Sequence, residues 1–432
     1  MRTLADQAMA RPTRREPFAD SSVGARGLRT HQRILDAALE TFAESGYDRA
    51  SLDRVAELAG CSRVTIYQYA NGKDGLFRRL GAQASTQMWS AMEGLDDITA
   101  DASGHASLRA FVSRLGDVEA RYAPVIRAFD AVAEGDGSLT GEAATILRRG
   151  VGLLEARLVG TDLAPRAVES TVALLNPGIV RALSHLATLR AAAPEFYGRE
   201  RVDLAIADVA HRVLFGPLPG VNVRPPATAD AAPKLHLSAE SEAILQRARA
   251  LDVSAAGPTK RALRAMLDAA AGLVLDQGFR GLRIDAIVRA AGVSRGSFYT
   301  YFDDIGDFVN VVGVRGIRKA SAVMEELPDD LAPTAFRHWL RHYADVNRTS
   351  GPLVRAWLEA TTGPLRQDRA AVIDDGRRQL AQTICTRAIG QAEVDAAILL
   401  AITDVFASQS RSNSEVGVMV TMVERGFLVA QT

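Results

Sequence analysis

The chain has 432 residues, of which 47% are hydrophobic and 24% are charged, a composition typical of an ordinary soluble globular protein. That length favours two or more domains over a single core. The 51 basic and 51 acidic residues balance to a net charge of zero, so any basic face that binds nucleic acid must be local. Cys61 and Cys385 are the only cysteines, which excludes a disulfide framework and fits a reducing compartment.

The amino-terminal residues 1–27 predict a flexible basic arm. The run RPTRREPFADSSVGARGLR, from Arg11, is basic and is interrupted by Pro and Gly. Such an arm can reach into a minor groove, but it can equally be a solvated tail. Charged residues stand where a secretory signal needs an apolar segment, so we expect a cytoplasmic protein. The longest apolar runs are too short to span a bilayer, and no membrane insertion is expected.

The next segment predicts three short helices. Apolar residues recur with helical spacing in RTHQRILDAALETFAESG, and Gly46 ends that pattern. A second helix begins near Ser51, a favourable N-cap, and ends at Gly60, which suits the left-handed end of a helix. A third helix begins at Ser62, another N-cap residue. This order is that of a helix-turn-helix unit, in which the helix after the turn enters the major groove of DNA.

The helix after the turn predicts a DNA-reading surface. Helical spacing places Ile66 and Ala70 inward together with Cys61. The residues left outward are Arg63, Thr65, Tyr67, Gln68 and Tyr69. Their hydroxyl, amide and guanidinium groups suit hydrogen bonds to phosphates and base edges. The simpler interpretation, which a lone YxY pattern would favour, is that the tyrosines pack on the first helix or on the long connecting helix.

The same unit recurs 232 positions later, which makes the chain an internal duplication. SRVTIYQYANGKDGLF, from Ser62, matches SRGSFYTYFDDIGDFV, from Ser294. A fainter match follows at a slightly shorter offset, between APVIRAF from Ala123 and GPLVRAW from Gly351. No stretch combines sustained alternation with β-branched enrichment, so an all-α protein is expected.

Each unit resembles the amino-terminal domain of TetR-family transcriptional repressors. The resemblance is carried by ILDAALETFAESGYDRASLDRVAELAGCSRVTIYQYANGKDGLF and by MLDAAAGLVLDQGFRGLRIDAIVRAAGVSRGSFYTYFDDIGDF. It implies an all-α chain with two tandem DNA-binding heads, each followed by a helical body that binds ligand and dimerises. Because a single member of that family carries one head and pairs through two body helices, this chain is expected to form an intramolecular pseudo-dimer.

The duplication and the composition of the linker suggest the domain boundaries. GPLPGVNVRPPATADAAP, from Gly216, is a linker stiffened by prolines, and ESEAILQRARAL is a short helix after it. The expected segments are the arm 1–27, the first head 28–80, the first body 81–215, the linker with its helix 216–257, the second head 258–312 and the second body 313–432.

The resemblance also implies which residues contact DNA. Base contacts fall on Arg63, Val64 and Thr65, and phosphate contacts fall on Tyr67, Tyr69 and Lys73. The full expected set in the first head is Ser51, Arg63, Val64, Thr65, Tyr67, Gln68, Tyr69 and Lys73. In the second head it is Arg283, Arg295, Gly296, Ser297, Tyr299, Thr300 and Tyr301.

Departures from this pattern predict weaker DNA binding by the second head. Ile305 replaces the lysine, and Arg283 stands where Ser51 caps a helix in the first head. Asp303 and Asp304 add negative charge beside the expected phosphate track. Nearby basic residues could restore positive charge; they are Lys260, Arg261, Arg264, Arg280 and Arg283.

The two reading surfaces also differ in the bases they suit. Val64 can contact a thymine methyl group, whereas Gly296 cannot. An imperfectly palindromic operator is therefore expected.

No catalytic, metal or cofactor motif stands out. His338 and His342 lie at i, i+4 with Asp345 a further turn along, a spacing that could hold a metal. However, Trp339 stands where the HExxH motif needs its glutamate, so a packed or solvated histidine pair is favoured. Neither a phosphate-binding glycine loop nor a recognisable nucleophile triad is present, and we expect neither an enzyme nor a cofactor.

The sequence therefore predicts a transcriptional regulator, acting as a repressor, that binds double-stranded operator DNA. The Ala- and Leu-rich bodies suit a small apolar or amphipathic effector that loosens DNA binding. The helix of Leu174 and Leu175 should pack against that of Leu399 and Leu400, with the reading helices roughly 34 to 36 Å apart or somewhat more. The alternative is a helical sensing or assembly protein in which one or both heads no longer bind operator DNA.

Overall fold

A computed structural model describes residues 24–47, 49–133, 137–216, 232–257, 260–277, 282–328, 332–360, 363–384, 392–409 and 413–428. These residues form eighteen helices and no strand, apart from an isolated bridge between Ile98 and Leu158. The expectation of an all-α protein is confirmed. The expected basic arm, up to residue 23, and residues 217–231 of the expected linker lie outside the described residues.

The chain divides into two compact units, residues 1–84 and 85–432. The first unit holds three helices and the beginning of a fourth: α1 (Ala25–Ser45), α2 (Leu52–Ala59), α3 (Arg63–Tyr69) and α4 (Gly72–Glu93). Its core is apolar, with Leu35, Phe42, Val55 and Phe77 buried. Burial of these side chains holds α1, α2 and α3 together as one helix-turn-helix domain.

The second unit contains the first body, the second head and the second body. The first body contributes α5 (Ala102–Ala133), α6 (Gly137–Arg157), α7 (Pro165–Ala192) and α8 (Arg199–Phe215). The second head and the helix before it comprise α9 (Ala239–Ala255), α10 (Arg261–Gln277), α11 (Ile284–Ala291), α12 (Arg295–Tyr299) and α13 (Ile305–Glu325). The second body adds α14 (Pro333–Ala360), α15 (Gly363–Gln367), α16 (Arg369–Ile384), α17 (Ala392–Gln409) and α18 (Asn413–Phe427).

The two bodies share one hydrophobic core. Helix α7 packs against α17, and α8 packs against α18. Leu174, Leu175 and Leu399 belong to the shared core, with Leu400 packed at its edge. A Cβ atom added to Gly178 would lie 2.9 Å from the Ile402 side chain, so this glycine lets α7 and α17 approach closely. The pairing expected from the leucine pairs is observed.

Two arginines cross between α8 and α18 in a reciprocal way. The Nε of Arg212 donates to the carbonyl oxygen of Gly426 at 2.8 Å, and the Nε of Arg425 donates to the carbonyl oxygen of Val213 at 2.9 Å. Each arginine therefore bonds the residue that follows the other arginine. This is the contact pattern of a two-fold interface, in which i meets j and j meets i.

Helix α7 is long and apolar enough to cross a membrane by length and composition alone. It is the one such helix among the described residues, and 56% of its most apolar window is buried in the fold. A core helix with this much burial satisfies the same criteria.

Candidate nucleic-acid interface

We call α3 and α12 the reading helices of the first and second heads. In the first head, two serine N-caps and a glycine turn set the angle of the reading helix. The backbone N–H of Arg54 donates to the Ser51 Oγ at 3.2 Å, which starts α2. Gly60 ends α2 with φ +59°, in the left-handed region that favours glycine. The backbone N–H of Thr65 then donates to the Ser62 Oγ at 3.1 Å, which starts α3. Both expected caps are observed.

The second head repeats this turn with one cap missing. Gly292 has φ +65°, and the Ser297 N–H donates to the Ser294 Oγ at 3.1 Å. Arg283, at the N-cap of α11, makes no side-chain capping bond and is exposed. An N-cap side chain contributes about 0.5–2 kcal/mol to helix stability, so α11 lacks a stabilisation that Ser51 gives α2.

The reading helix of the first head turns its apolar side inward and its polar side to solvent. Ile66 and Ala70 are buried, at 0% and 1% exposure. Exposed or half-buried positions on the other side are Arg63, Val64, Thr65, Tyr67 and Gln68. Cys61, expected inward, is only half-buried, because it lies in the turn rather than on the inner face of α3.

The reading helix of the second head has the same burial pattern, position by position. Phe298 and Phe302 are buried where Ile66 and Ala70 are buried in the first head. The outward positions are Arg295, Gly296, Ser297, Tyr299 and Thr300, of which Ser297 is half-buried. The side chain of Tyr299 is 53% exposed. Its ring and hydroxyl are therefore available to contact a partner.

The second tyrosine of each YxY pair is half-buried, not fully outward. Tyr69 stacks on His31 of α1, with ring centroids 5.9 Å apart. The ammonium group of Lys260 lies 5.2 Å from the ring centroid of Tyr301. Tyr69 thus packs on the first helix of its head, as the simpler interpretation expects, and Tyr301 lies beside the start of the first helix of the second head.

An aspartate on the preceding helix orients the arginine of each reading helix. Arg63 pairs with Asp53 at 3.3 Å, and Arg295 pairs with Asp285 at 3.3 Å. Both pairs are exposed, so each contributes little to stability and can open when a stronger anion approaches. Sequence reasoning did not assign these aspartates a role, although both occupy the same position in the repeat.

The start of the next helix differs between the heads. In the first head the Lys73 ammonium lies 4.8 Å from the ring centroid of Tyr47, and the Tyr47 hydroxyl donates to Asp74. This cation–π contact holds the lysine at the beginning of α4, where a phosphate would meet both its charge and the helix N-terminus.

In the second head, carboxylates occupy the start of α13. The Asp307 N–H donates to the Asp304 side chain at 2.9 Å, which caps the helix, and Ile305 is half-buried. Arg247 of α9 pairs with Asp303 and Asp307, each at 3.0 Å. A helix N-terminus already satisfied by a carboxylate is a poorer phosphate site.

Arg264, one of the residues that could restore positive charge around the second head, bonds to the backbone at the end of α9. Its guanidinium donates to the carbonyl oxygens of Ala255, Ala256 and Gly257 at 2.8–3.1 Å, which caps the end of α9. Arg280 lies outside the described residues.

Among the described residues, His338 and His342 belong to no group of three or more His, Cys, Asp or Glu side chains that could hold a metal ion. The Nδ1 of His342 instead lies 2.8 Å from Glu326, while His338 is exposed. Cys385 lies outside the described residues.

Comparison with known proteins finds the same two segments. A sequence model of "Bacterial regulatory proteins, tetR family" matches residues 34–80 and again residues 266–312. The family is one of regulators, in agreement with the expectation that the chain is not an enzyme.

Curated relatives match over short segments. The HTH-type transcriptional regulator SrpR of Pseudomonas putida is 50% identical over 44 residues, which are 10% of this chain and 21% of the relative. The HTH-type transcriptional repressor AcnR of Corynebacterium diphtheriae is 34% identical over 76 residues, 17% of this chain and 40% of AcnR. The fatty acid metabolism regulator protein of Bacillus subtilis is 31% identical over 84 residues, 19% of this chain and 42% of the relative.

The chain therefore spans less than half the length of each of these relatives. The family match occurs once in each half of the chain. The chain therefore carries two helix-turn-helix units of the TetR family in tandem, at residues 34–80 and 266–312.

Proposed function

We propose that this protein is a sequence-specific transcriptional repressor in which one chain takes the place of a dimer. Its two heads bind the two halves of one double-stranded operator. The reciprocal contacts of Arg212 and Arg425 carry this proposal, because a pseudo-two-fold axis between the bodies is what a dimer of single-headed chains would have.

The matching burial pattern of the two reading helices supports DNA binding by both heads. Arginine, a small hydroxyl residue and a tyrosine are outward at equivalent positions of α3 and α12. The relative AcnR of Corynebacterium diphtheriae is named a transcriptional repressor, which favours repression over activation. A chain that binds operator DNA would act in the cytoplasm.

The operator proposed for these heads is an imperfect palindrome. Val64 is 68% exposed and can contact a thymine methyl group, which Gly296 cannot do. Ser51, Tyr67, Tyr69 and Lys73 of the first head would bind phosphates. Their counterparts Arg283, Tyr299 and Tyr301 would do so in the second head. A small apolar or amphipathic effector, bound in a body, would favour a state that releases DNA.

A gel shift with the DNA upstream of the protein's own coding sequence tests operator binding, and light scattering of the complex tests stoichiometry. One chain per operator is expected. Two chains per operator, joined through their bodies, would overturn the intramolecular arrangement. Absence of any shift would instead favour the helical assembly protein.

A further inference from the structure

A cavity of about 1000 Å³ lies within the second unit. Helices α5, α7, α9, α13, α14, α16 and α17 form its wall together with residues 234–237, which precede α9. Its volume is at the upper end of the roughly 300–1,000 Å³ typical of small-molecule sites. Leu235, Leu245, Val314, Met324 and Leu400 contribute apolar surface.

The charges around this cavity are predominantly positive. Seven arginine and lysine side chains line it, against three carboxylates. Three of the arginines are neutralised locally: Arg249 pairs with Glu242 at 3.5 Å, Arg318 with Asp252 at 2.7 Å, and Arg378 with Asp374 at 2.6 Å.

Two of the cations have no such partner. Arg127 on α5 is half-buried, Lys234 is exposed, and neither forms a salt bridge with any described residue. The attraction of Arg127 opposes the rise in pKa that burial gives the nearby Glu119, but the two form no salt bridge. A half-buried guanidinium that no carboxylate contacts directly gains from pairing with an anion, since such pairs strengthen where water is partly excluded.

His185 adds a neutral polar group to the same wall. It is largely buried, and its Nδ1 atom has no hydrogen-bond partner among the described residues. Burial lowers the pKa of His185 to about 4, so the ring is uncharged near neutral pH. A buried ring nitrogen without a partner is costly, and a polar group of a bound molecule could satisfy it.

Residues 232–238, which precede α9, are bound to the second body by hydrogen bonds. These bonds fix the part of the cavity wall that the segment forms. Arg378 donates to the carbonyl oxygens of Ala232 and Pro233 at 3.3 and 2.7 Å. The Ser238 hydroxyl donates to Asp368 at 2.6 Å. Residues 234–237, which precede α9, are therefore held in place as part of the cavity wall.

We propose that this cavity binds an amphipathic organic anion, whose charged group pairs with Arg127 and Lys234 and whose apolar part packs on the leucines, valine and methionine. This is narrower than the apolar or amphipathic effector expected from the bodies' composition, because the lining is net cationic. The role of that anion as effector rests on the regulatory function proposed above, whereas its binding does not.

Calorimetry of the full chain without DNA tests binding with matched ten-carbon probes. Decanoate is expected to bind at least about tenfold more tightly than decanol, since a hydrogen-bonded charge contributes that much or more. Decyltrimethylammonium and acetate should bind more weakly still. Tighter binding of decyl phosphate would also support the proposal and assign the headgroup as a phosphate ester. Equal binding of decanol and decanoate would overturn it.

Variants locate the site. Arg127→Gln combined with Lys234→Gln should weaken decanoate binding about tenfold. The matched control combines Arg109→Gln and Lys319→Gln, which lie on α5 and α13, are exposed and do not line the cavity. The control should bind decanoate like the unmodified chain, and equal weakening in both would overturn the assignment.

A gel shift with decanoate then tests the effector role separately. Decanoate binding that leaves the operator complex intact would contradict the regulatory role and keep the site. Operator binding without any decanoate binding would overturn the site alone.

Discussion

In the first head the aromatic side chains of the core come from helices around the reading helix, whereas in the second head they come from the reading helix and the residues after it. Phe42 of α1 and Phe77 of α4 flank Tyr47, with centroids 5.4 and 4.8 Å from it. In the second head Phe298 and Phe302 pack against each other and against Phe308, with centroids 5.1–5.7 Å apart.

This difference in the core does not change which positions of the reading helix face outward. Cores tolerate repacking when volume and patterning are kept, and which positions face outward depends on the register of a short helix rather than on the residue beneath it. The outward residues of the reading helix and the buried aromatic residues beneath them therefore vary independently in these two heads. Differences in DNA binding should then come from the surface and from the start of α4 or α13.

The largest expected effect is loss of the aromatic support. Phe298→Ala should cost about 3–5 kcal/mol locally, and it should open α12 and α13 without loosening the first head, which belongs to another compact unit. Ile66→Ala should do the reverse. Hydrogen exchange measured by mass spectrometry on peptides of each head distinguishes them.

Tyr299→Ala, next to Phe298 but 53% exposed, is the matched control and should change stability within about 0.5 kcal/mol. Unchanged exchange of α12 in the Phe298→Ala variant would contradict an aromatic support for the reading helix.

The two bodies also differ from each other, because the reciprocal arginines Arg212 and Arg425 have different carboxylate partners. Arg212 and Asp395 are both buried and 3.5 Å apart, whereas Arg425 pairs at 2.5 Å with an Asp162 that is largely exposed. Burial raises the pKa of Asp395 to about 7 despite the attraction of Arg212. The hydrogen bond from Arg425 lowers the pKa of Asp162.

These opposite shifts give opposite pH dependences. The folded chain holds a proton on Asp395 that the unfolded chain releases near pH 4, so this group makes stability fall as pH rises from about 4 to about 7, by a few kcal/mol at most. Asp395→Asn should remove that fall from the midpoint of urea unfolding. Asp162 instead gives stability that is lost as pH drops below about 4. Asp162→Asn, the control, should keep the fall between pH 4 and 7, and the same flattening in both variants would refute the assignment.

The sequence alone predicts the heads well and the link between the bodies poorly. Serine caps, the turn glycines and the 3.6-residue period are local signals, and they placed Ser62, Gly60 and Ile66 correctly. The pairing of Arg212 with Gly426 joins distant segments, and the repeat offset has shortened there, which hides the match between the two arginines.

The role of α9 was also beyond sequence reasoning. Its helical pattern was predicted, but the bonds of Arg247 to Asp303 and Asp307 and of Arg264 to the end of α9 depend on tertiary packing. A count of charges along the sequence therefore misses that Arg247 offsets Asp303 and Asp307 and that Arg264 bonds to the end of α9.

Substitutions on the two reading helices test whether each helix determines base preference in its own half-site. Arg63→Ala should relax base preference in one half-site only, and Arg295→Ala in the other, each by about 1–3 kcal/mol at the position read. Selection of binding sites from random DNA by the intact chain measures both. Arg109→Ala, on the exposed surface of α5, should leave the selected sequence unchanged. A strictly symmetric consensus, or one unaffected by Arg295→Ala, would show that the second head does not read DNA.

The smallest expected effect is on the salt dependence of DNA binding. It compares phosphate binding at the start of α4 with phosphate binding at the start of α13. Lys73→Ala should weaken binding to all sequences alike and reduce the slope of log affinity against log salt by about 0.9, the contribution of one phosphate contact. Lys73→Arg keeps the charge and should keep the slope. Ile305→Lys places the same charge at the second head, where Asp304 already caps α13 and Arg247 already pairs with Asp303, so it should raise the slope by less than Lys73→Ala lowers it. Binding measured by fluorescence anisotropy at several salt concentrations decides this, and equal and opposite changes would mean that the carboxylates at α13 do not weaken its phosphate site.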